Sequence, residues 1–318
     1  MFINGITNNY REDYFDTSLH SGIPKRYYSQ KDKHFNDWEI PPWELFIFKD
    51  RLLGEGTFAK VFLAKWRETF VVAKIFNENN SCFDKNLILR EIDIMTHLHH
   101  PNITQFLGYI DDPFIIVMEY IPNKNLEDNI SKLSKNNKIS IMKDVLRGLA
   151  YLHNRRPYSL VHRDIKPSNI ILTNSRVAKI ADFGLSKFYN YLSSSNDNIE
   201  KLNKKSDKKS DKKSDISNNL NFDIIITSDL THNVGTERYM APELENNNIF
   251  YDNKIDIYSC GIVFYEMFEN KKYNKHKKLE WFWTPKYIKD IINKYMINET
   301  PSKRLTALQL IKLIDSHR

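Results

Sequence analysis

Residues 160–172 read Leu160-Val161-His162-Arg163-Asp164-Ile165-Lys166-Pro167-Ser168-Asn169-Ile170-Ile171-Leu172. Two short apolar runs enclose a loop crowded with imidazole, guanidinium, carboxylate, ammonium and amide groups. A loop held between two buried strands presents reactive groups from a rigid scaffold. A second carboxylate follows thirteen residues after Asn169, in Asp182-Phe183-Gly184. Turn capping is the plain alternative role for Asp164 and Asn169, because both residue types favour loops.

Working outward, the 318 residues suit one two-lobed domain with extra segments. Apolar and charged fractions of 41% and 27% are ordinary for a globular chain. Two cysteines, Cys82 and Cys260, give no disulfide framework. No apolar run approaches the roughly 18 residues of a membrane span, and the first residues lack a signal-peptide core. The expectation is a soluble intracellular protein, cytoplasmic or nuclear. The net charge of +7 is uneven: Lys201 to Asp215 holds seven lysines and three aspartates. That segment, three tandem copies of Lys-Lys-Ser-Asp, lies in a Ser/Asn/Lys/Asp-rich stretch 190–221. Its composition cannot bury enough apolar area to offset ordering, so a disordered insertion is expected. A polyanion-binding patch is the less favoured alternative, and nucleic acid is not an expected partner.

Short β-type runs occupy Leu45 to Leu53, Phe58 to Lys65 and Thr69 to Phe76. The spacing of Leu87, Ile88, Glu91, Ile92 and Met95 predicts a helix within Asp84 to Leu98. Strands at Thr104 to Ile110 and Phe114 to Tyr120 follow. Helical patterns then recur at Ile139 to His153, Ile255 to Phe268, Tyr287 to Met296 and Thr306 to Ile314. A β-rich lobe followed by a helical lobe is an α+β arrangement with a cleft between.

His162-Arg163-Asp164, with Asn169 and Asp182-Phe183-Gly184, resembles the catalytic loop and metal-binding turn of protein kinases. Gly54-Glu55-Gly56-Thr57-Phe58-Ala59-Lys60-Val61 after Leu53, Lys74 on the third strand, and Gly235-Thr236-Glu237-Arg238-Tyr239-Met240-Ala241-Pro242-Glu243 extend the resemblance over about residues 48–315. It implies a two-lobed protein-kinase fold, with an extension at 1–46 and a kinase domain at 47–318 divided near residue 121. It also implies an ATP- and Mg²⁺-dependent serine/threonine kinase acting on protein substrates. Lys74 would reach the phosphates and pair with Glu91, Asp164 would take the substrate hydroxyl proton, and Asn169 and Asp182 would hold Mg²⁺. Lys166 marks the serine/threonine class, with Thr236 bridging it to Asp164. Val72, Met118, Glu119, Ile121 and Ile171 would join the glycine-rich turn around the nucleotide. Glu243 would pair with Arg304, and Asp256 would anchor the catalytic-loop backbone. Ala64-Lys65-Trp66-Arg67 and His100-Pro101-Asn102-Ile103 point to the tyrosine-kinase-like group of serine/threonine kinases.

Several positions depart from the family. Ala59 replaces the third glycine, Val72 stands where alanine usually packs on adenine, and the stretch between Asp256 and Arg304 is short. These departures keep a nucleotide-binding, pseudokinase-like scaffold as the alternative function. Arg163 would receive an activation-loop phosphate, for which Thr231 is the candidate, modified by an upstream kinase or by autophosphorylation. Asn125 and Ser168, with the basic run 271–278, imply a weak preference for basic peptides and a lean toward acidic ones. His97, His99 and His100 lack acidic or cysteine neighbours and read as a helix-to-strand turn, not a metal site.

Overall fold

The computed structural model describes residues 36–56, 59–78, 84–156, 159–189, 235–244 and 251–317. The lysine-rich insertion, Thr231, Cys82, Thr57 and Phe58 lie outside the described residues. The chain divides into two compact units, residues 1–37 and Trp38–Arg318. The second contains the sheet, the helices and the motif residues.

Five antiparallel strands form the N-lobe sheet in the order β1-β2-β3-β5-β4. They are β1 (Leu45–Glu55), β2 (Ala59–Trp66), β3 (Thr69–Phe76), β4 (Phe106–Asp111) and β5 (Phe114–Glu119). Side chains alternate across a strand. In β3, Val71 and Ala73 are therefore fully buried in the core with Leu45, Ala64, Ile110, Ile115 and Val117. Val72 and Lys74 share the opposite face, where Val72 stands beside Met118 of β5. Helix α1 (Lys85–Thr96) is capped by the Asp84 carboxylate, which accepts from Asn86 N at 2.9 Å. Its buried face comprises Ile88, Glu91, Ile92 and Met95, the spacing of one helical stripe. One buried position in that stripe is a carboxylate.

The compact unit begins ahead of the expected boundary at 46/47. Ile40 is buried in the sheet's core, and its N–H donates to Tyr109 O at 2.7 Å. The Trp38 ring lies 5.4 Å from that of Phe106. Glu44 accepts from Trp66 Nε1 at 3.0 Å and Arg67 Nε at 2.7 Å. Gly108 leaves room for this segment: a Cβ there would meet Trp38 O at 2.6 Å and Ile40 Cδ1 at 2.7 Å.

The C-lobe is helical. It contains α2 (Lys135–His153), α3 (Lys254–Glu269), α4 (Lys286–Ile291), a π turn over Ile292–Met296, and α5 (Ala307–Asp315). Thr306 and Gln309 form a reciprocal capping box at α5. Every residue of α3 from Ile255 to Glu269 is buried, so this helix is the lobe's centre. Two small hairpin-like pairs, β6 (Ser159–Val161) with β9 (Lys187–Tyr189) and β7 (Ile170–Leu172) with β8 (Ala178–Ile180), frame the loop 162–169. The helical stretch expected at Tyr287 to Met296 is therefore split, its second half widening into π geometry. No helix among the described residues is long and apolar enough to cross a membrane.

Gly108→Ala should overpack the junction between β4 and residues 38–40. The expected loss is about 1–3 kcal/mol, read as a lower urea midpoint. An unchanged midpoint would show that the segment is not tightly seated.

Candidate active site

The loop 162–169 is organised from below by one carboxylate. Asp256, in the first turn of α3 and fully buried, accepts from His162 N at 2.8 Å and Arg163 N at 2.9 Å. His153 Nε2 approaches it at 2.9 Å. Burial alone would raise the Asp256 pKa, but the bond and charge of His153 and the bond from His162 outweigh it and hold the group low. Arg163 takes a left-handed φ of 68°, a conformation that persists in a non-glycine residue only where its surroundings enforce it. Gly235, at φ 115°, lies directly against it: a Cβ there would sit 2.7 Å from Arg163 O.

This loop and the segment beginning at Gly235 meet at Asp164. One carboxylate oxygen accepts from Thr236 N at 3.2 Å and Thr236 Oγ1 at 2.9 Å. The other lies 2.7 Å from Lys166 Nζ and accepts from Asn169 Nδ2 at 3.1 Å. Lys166 Nζ also donates to Thr236 Oγ1 at 3.1 Å. Asn169 Nδ2 is drawn to Asp164 O as well, at 2.9 Å. Both donor contacts face Asp164, which leaves the amide oxygen as the group Asn169 can offer elsewhere. The buried pair of Glu243 and Arg304 fixes the far end of the segment, bidentate at 2.6 and 2.8 Å.

A second cluster is tied to the first through Ala181, next to Asp182, whose N–H donates to Asn169 O at 2.9 Å. Lys74 Nζ lies 2.7 Å from Glu91 Oε1 and 3.1 Å from Asp182 Oδ1. Burial would lower the Lys74 pKa, but Asp182 and Glu91 together reverse that and hold the ammonium firmly protonated. Burial raises Glu91 against the pull of Lys74. The charge of Lys74 brings Asp182 down to about 2. Asp182 has φ 66°, and Phe183, nearly fully buried, packs edge-on to His162 at 5.1 Å. A Cβ on Gly184 would come 3.3 Å from Glu91 Oε2, so this glycine leaves space for the carboxylate.

The β1–β2 turn closes with a bond from Gly56 N to Ala59 O at 2.9 Å. A Cβ on Gly54 would meet nothing within 4 Å. Nothing among the described residues therefore demands glycine there, which fits a strand approached by another molecule. Gly54 pairs with Val61 and Glu55 with Lys60 across the strands, and Leu53 is exposed. Ala59 is buried opposite Phe76. Ile121 and Ile171 are half-buried. The carboxylates and amide oxygen at Asp182 and Asn169 are the hard oxygen donors that suit Mg²⁺.

Glu119 differs from expectation in one respect. Its carboxylate accepts from Gln105 N at 2.7 Å and Lys179 Nζ at 2.6 Å, so the side chain ties β5 to β8. Lys179, His153 and Tyr251, whose hydroxyl accepts from Arg163 at 2.9 Å, did not emerge from the sequence. Arg163 also donates to Leu185 O at 2.6 Å. The three histidines at 97–100 have local roles: His97 Nδ1 lies 2.8 Å from Asp93 O, and His100 Nδ1 accepts from Asn102 N.

The protein kinase domain family matches residues 48–313. The chain belongs to that family. The serine/threonine-protein kinase VIK of Arabidopsis thaliana is 30% identical over 275 residues, covering 79% of this chain and 54% of that protein. The serine/threonine-protein kinase CTR1 of the same plant is 30% identical over 256 residues, covering 77% and 26%. The dual specificity protein kinase shkC of Dictyostelium discoideum is 31% identical over 254 residues, covering 77% and 43%. The chain thus spans about half or less of the length of these kinases. Protein kinases generally use ATP and Mg²⁺.

The cleft triad has a pH signature. The folded pKa of Asp182 lies below its ordinary value, so its contribution to stability is present above about pH 4 and lost as pH falls toward 2. The stability gap between wild type and Lys74→Met, from denaturant titrations, should narrow between pH 5 and pH 2. A gap independent of pH would remove Lys74 as the cause.

Proposed function

We propose that this chain is an ATP- and Mg²⁺-dependent protein serine/threonine kinase whose kinase domain, expected at 47–318 after an extension at 1–46 and with its N-lobe ending near residue 121, also takes in residues 38–46. The observation that carries this is a pair of charged clusters joined through Ala181 N and Asn169 O: Lys74 between Glu91 and Asp182, and Asp164 between Lys166, Asn169 and Thr236.

Phosphoryl transfer asks a protein for alignment and charge compensation more than for covalent chemistry. Asp164, held by three neighbours, orients a serine or threonine hydroxyl and accepts its proton. The hydroxyl oxygen bonds to the γ-phosphorus of ATP while the bond to the β-phosphate oxygen breaks and ADP departs. Lys166, one bond from both Asp164 and Thr236, offsets charge on the transferring group. Lys74, kept cationic by two carboxylates, steadies the phosphates under the Gly54–Gly56 turn. Val72, Met118, Ile121 and Ile171 line the base site, to which Glu119 contributes its backbone. Asn169 and Asp182 would hold Mg²⁺, which when bound would neutralise phosphate charge. Proteins are the substrates, and phosphorylation of Thr231 by itself or by an upstream kinase is the proposed activating step.

Radiolabelled-phosphate transfer to a general protein acceptor tests this. Asp164→Asn should lower kcat by about 10²–10⁴, the scale of lost general-base catalysis, with nucleotide binding intact. Lys74→Met should abolish transfer too. Acid hydrolysis should yield phosphoserine and phosphothreonine, and phosphotyrosine in quantity would instead indicate dual specificity. Nucleotide binding without transfer, even after treatment with an activating kinase, would establish the scaffold function. In active protein, phosphosite mapping should find Thr231 modified, and an unmodified 227–231 would refute that step.

A further inference from the structure

The last turn of α3 carries two buried carboxylates that phosphoryl transfer does not use, and both brace the loop 270–285. Glu266 accepts from Tyr273 N at 2.8 Å and from the Tyr239 hydroxyl at 2.9 Å, with Arg238 4.0 Å away. Glu269 accepts from three successive backbone N–H groups, Phe282 at 2.8 Å, Trp283 at 3.2 Å and Thr284 at 3.0 Å, and from the Thr284 hydroxyl. Burial would raise the Glu269 pKa, but these four donors hold it below the ordinary carboxylate range. Trp281 packs edge-on to Tyr265 at 5.0 Å. The backbone is thus fixed from beneath.

What this bracing displays is unusual for a soluble surface. Phe282 is 72% and Trp283 78% exposed, the highest values among the exposed large apolar residues. Large exposed aromatics on a fixed backbone mark interaction sites, because little conformational freedom is lost when they are covered. The same segment holds Lys271, Lys272, Lys275, Lys277 and Lys278 against one acid, Glu280. Lys271 pairs with Glu280 and Lys272 with Glu127, whereas Lys277 and Lys278 are exposed. Through Glu266 the loop is joined to Arg238 and Tyr239, two and three residues from the Thr236 that bonds Asp164. One buried carboxylate thus ties the backbone of this loop to the segment that carries Thr236.

We propose that loop 270–285 is a docking surface for an acidic segment of the protein substrate, whose apolar side chain covers Phe282 and Trp283 while its carboxylates face Lys277 and Lys278. This rests on the kinase function proposed above and adds the class of substrate. An anionic lipid surface has comparable chemistry, but the link through Glu266 to the Thr236 segment favours a protein.

The test uses the full chain, wild type and two double variants, Phe282→Ala/Trp283→Ala and Lys277→Glu/Lys278→Glu. All four side chains are exposed, so folding should persist. Binding is read by anisotropy of a fluorescent peptide of aspartates and glutamates around a central Leu-Phe, lacking hydroxyl residues. Catalysis is read on an acidic protein acceptor, casein, and on a short peptide with one serine among alanines. Both variants should weaken peptide binding and raise the casein KM by about tenfold, the scale of a lost interface anchor. The casein kcat and the short-peptide rate should not change. Unchanged binding and KM would overturn the proposal, as would an equal loss on both acceptors. Loss of binding to phosphatidylserine vesicles with the casein KM unchanged would overturn it in favour of lipid. Failure to phosphorylate any acceptor would refute the kinase function alone, since anisotropy still decides the docking surface.

Discussion

The buried carboxylate of Asp256 is the constraint on which the C-lobe half of the cleft depends. A charge with no exposed surface is tolerated only where hydrogen bonds replace water. Asp256 takes two from the backbone of His162 and Arg163 and a third contact from His153. The loop backbone must therefore adopt a conformation that aims both N–H groups at one point, including the left-handed φ of Arg163. That conformation turns Asp164 toward Thr236, Lys166 and Asn169. Loop strain and side-chain order are consequences of satisfying one charge.

The same logic recurs at other buried acids. Glu91 is accommodated on the apolar face of α1 because Lys74 reaches it from β3, and Gly184 leaves room beside it. Breaking such a pair costs more than the pair contributes, since a lone buried charge remains. The cluster thus couples the position of α1, the sheet and Asp182 to one another. Glu119 and Lys179 add a second tie between β5 and β8. Glu243 with Arg304, and Glu266 and Glu269 in α3, fix the segment 235–244 and the loop 270–285. A helix that is buried all round can hold these loops only because its carboxylates lie where loop backbones approach.

Much of this was legible in the chain. The period-2 and 3.6-residue patterns located the five sheet strands and the main helices, since hydrophobic spacing follows directly from strand and helix geometry. The stretch 162–169 with Asp182-Phe183-Gly184 identified the family and the residues that meet in the cleft. Even Asp256 and the Glu243–Arg304 pair were expected, because they accompany those motifs. The seating of Trp38 and Ile40 on β4 was not expected. Residues 38–44 have no periodicity of their own, and Gly108, distant in sequence, reveals the space that Trp38 and Ile40 fill.

The sequence by itself determined the fold class, the family and the identity of the charged groups, because these depend on local pattern and on motif spacing. The tertiary structure alone decided the pairings that no motif carries. His153 with Asp256, Glu119 with Lys179, Arg163 with Tyr251, and Glu269 with the backbone of 282–284 join residues whose separation along the chain carries no signal. Their pairing follows from packing, which brings a buried carboxylate to the donors that can replace its lost water.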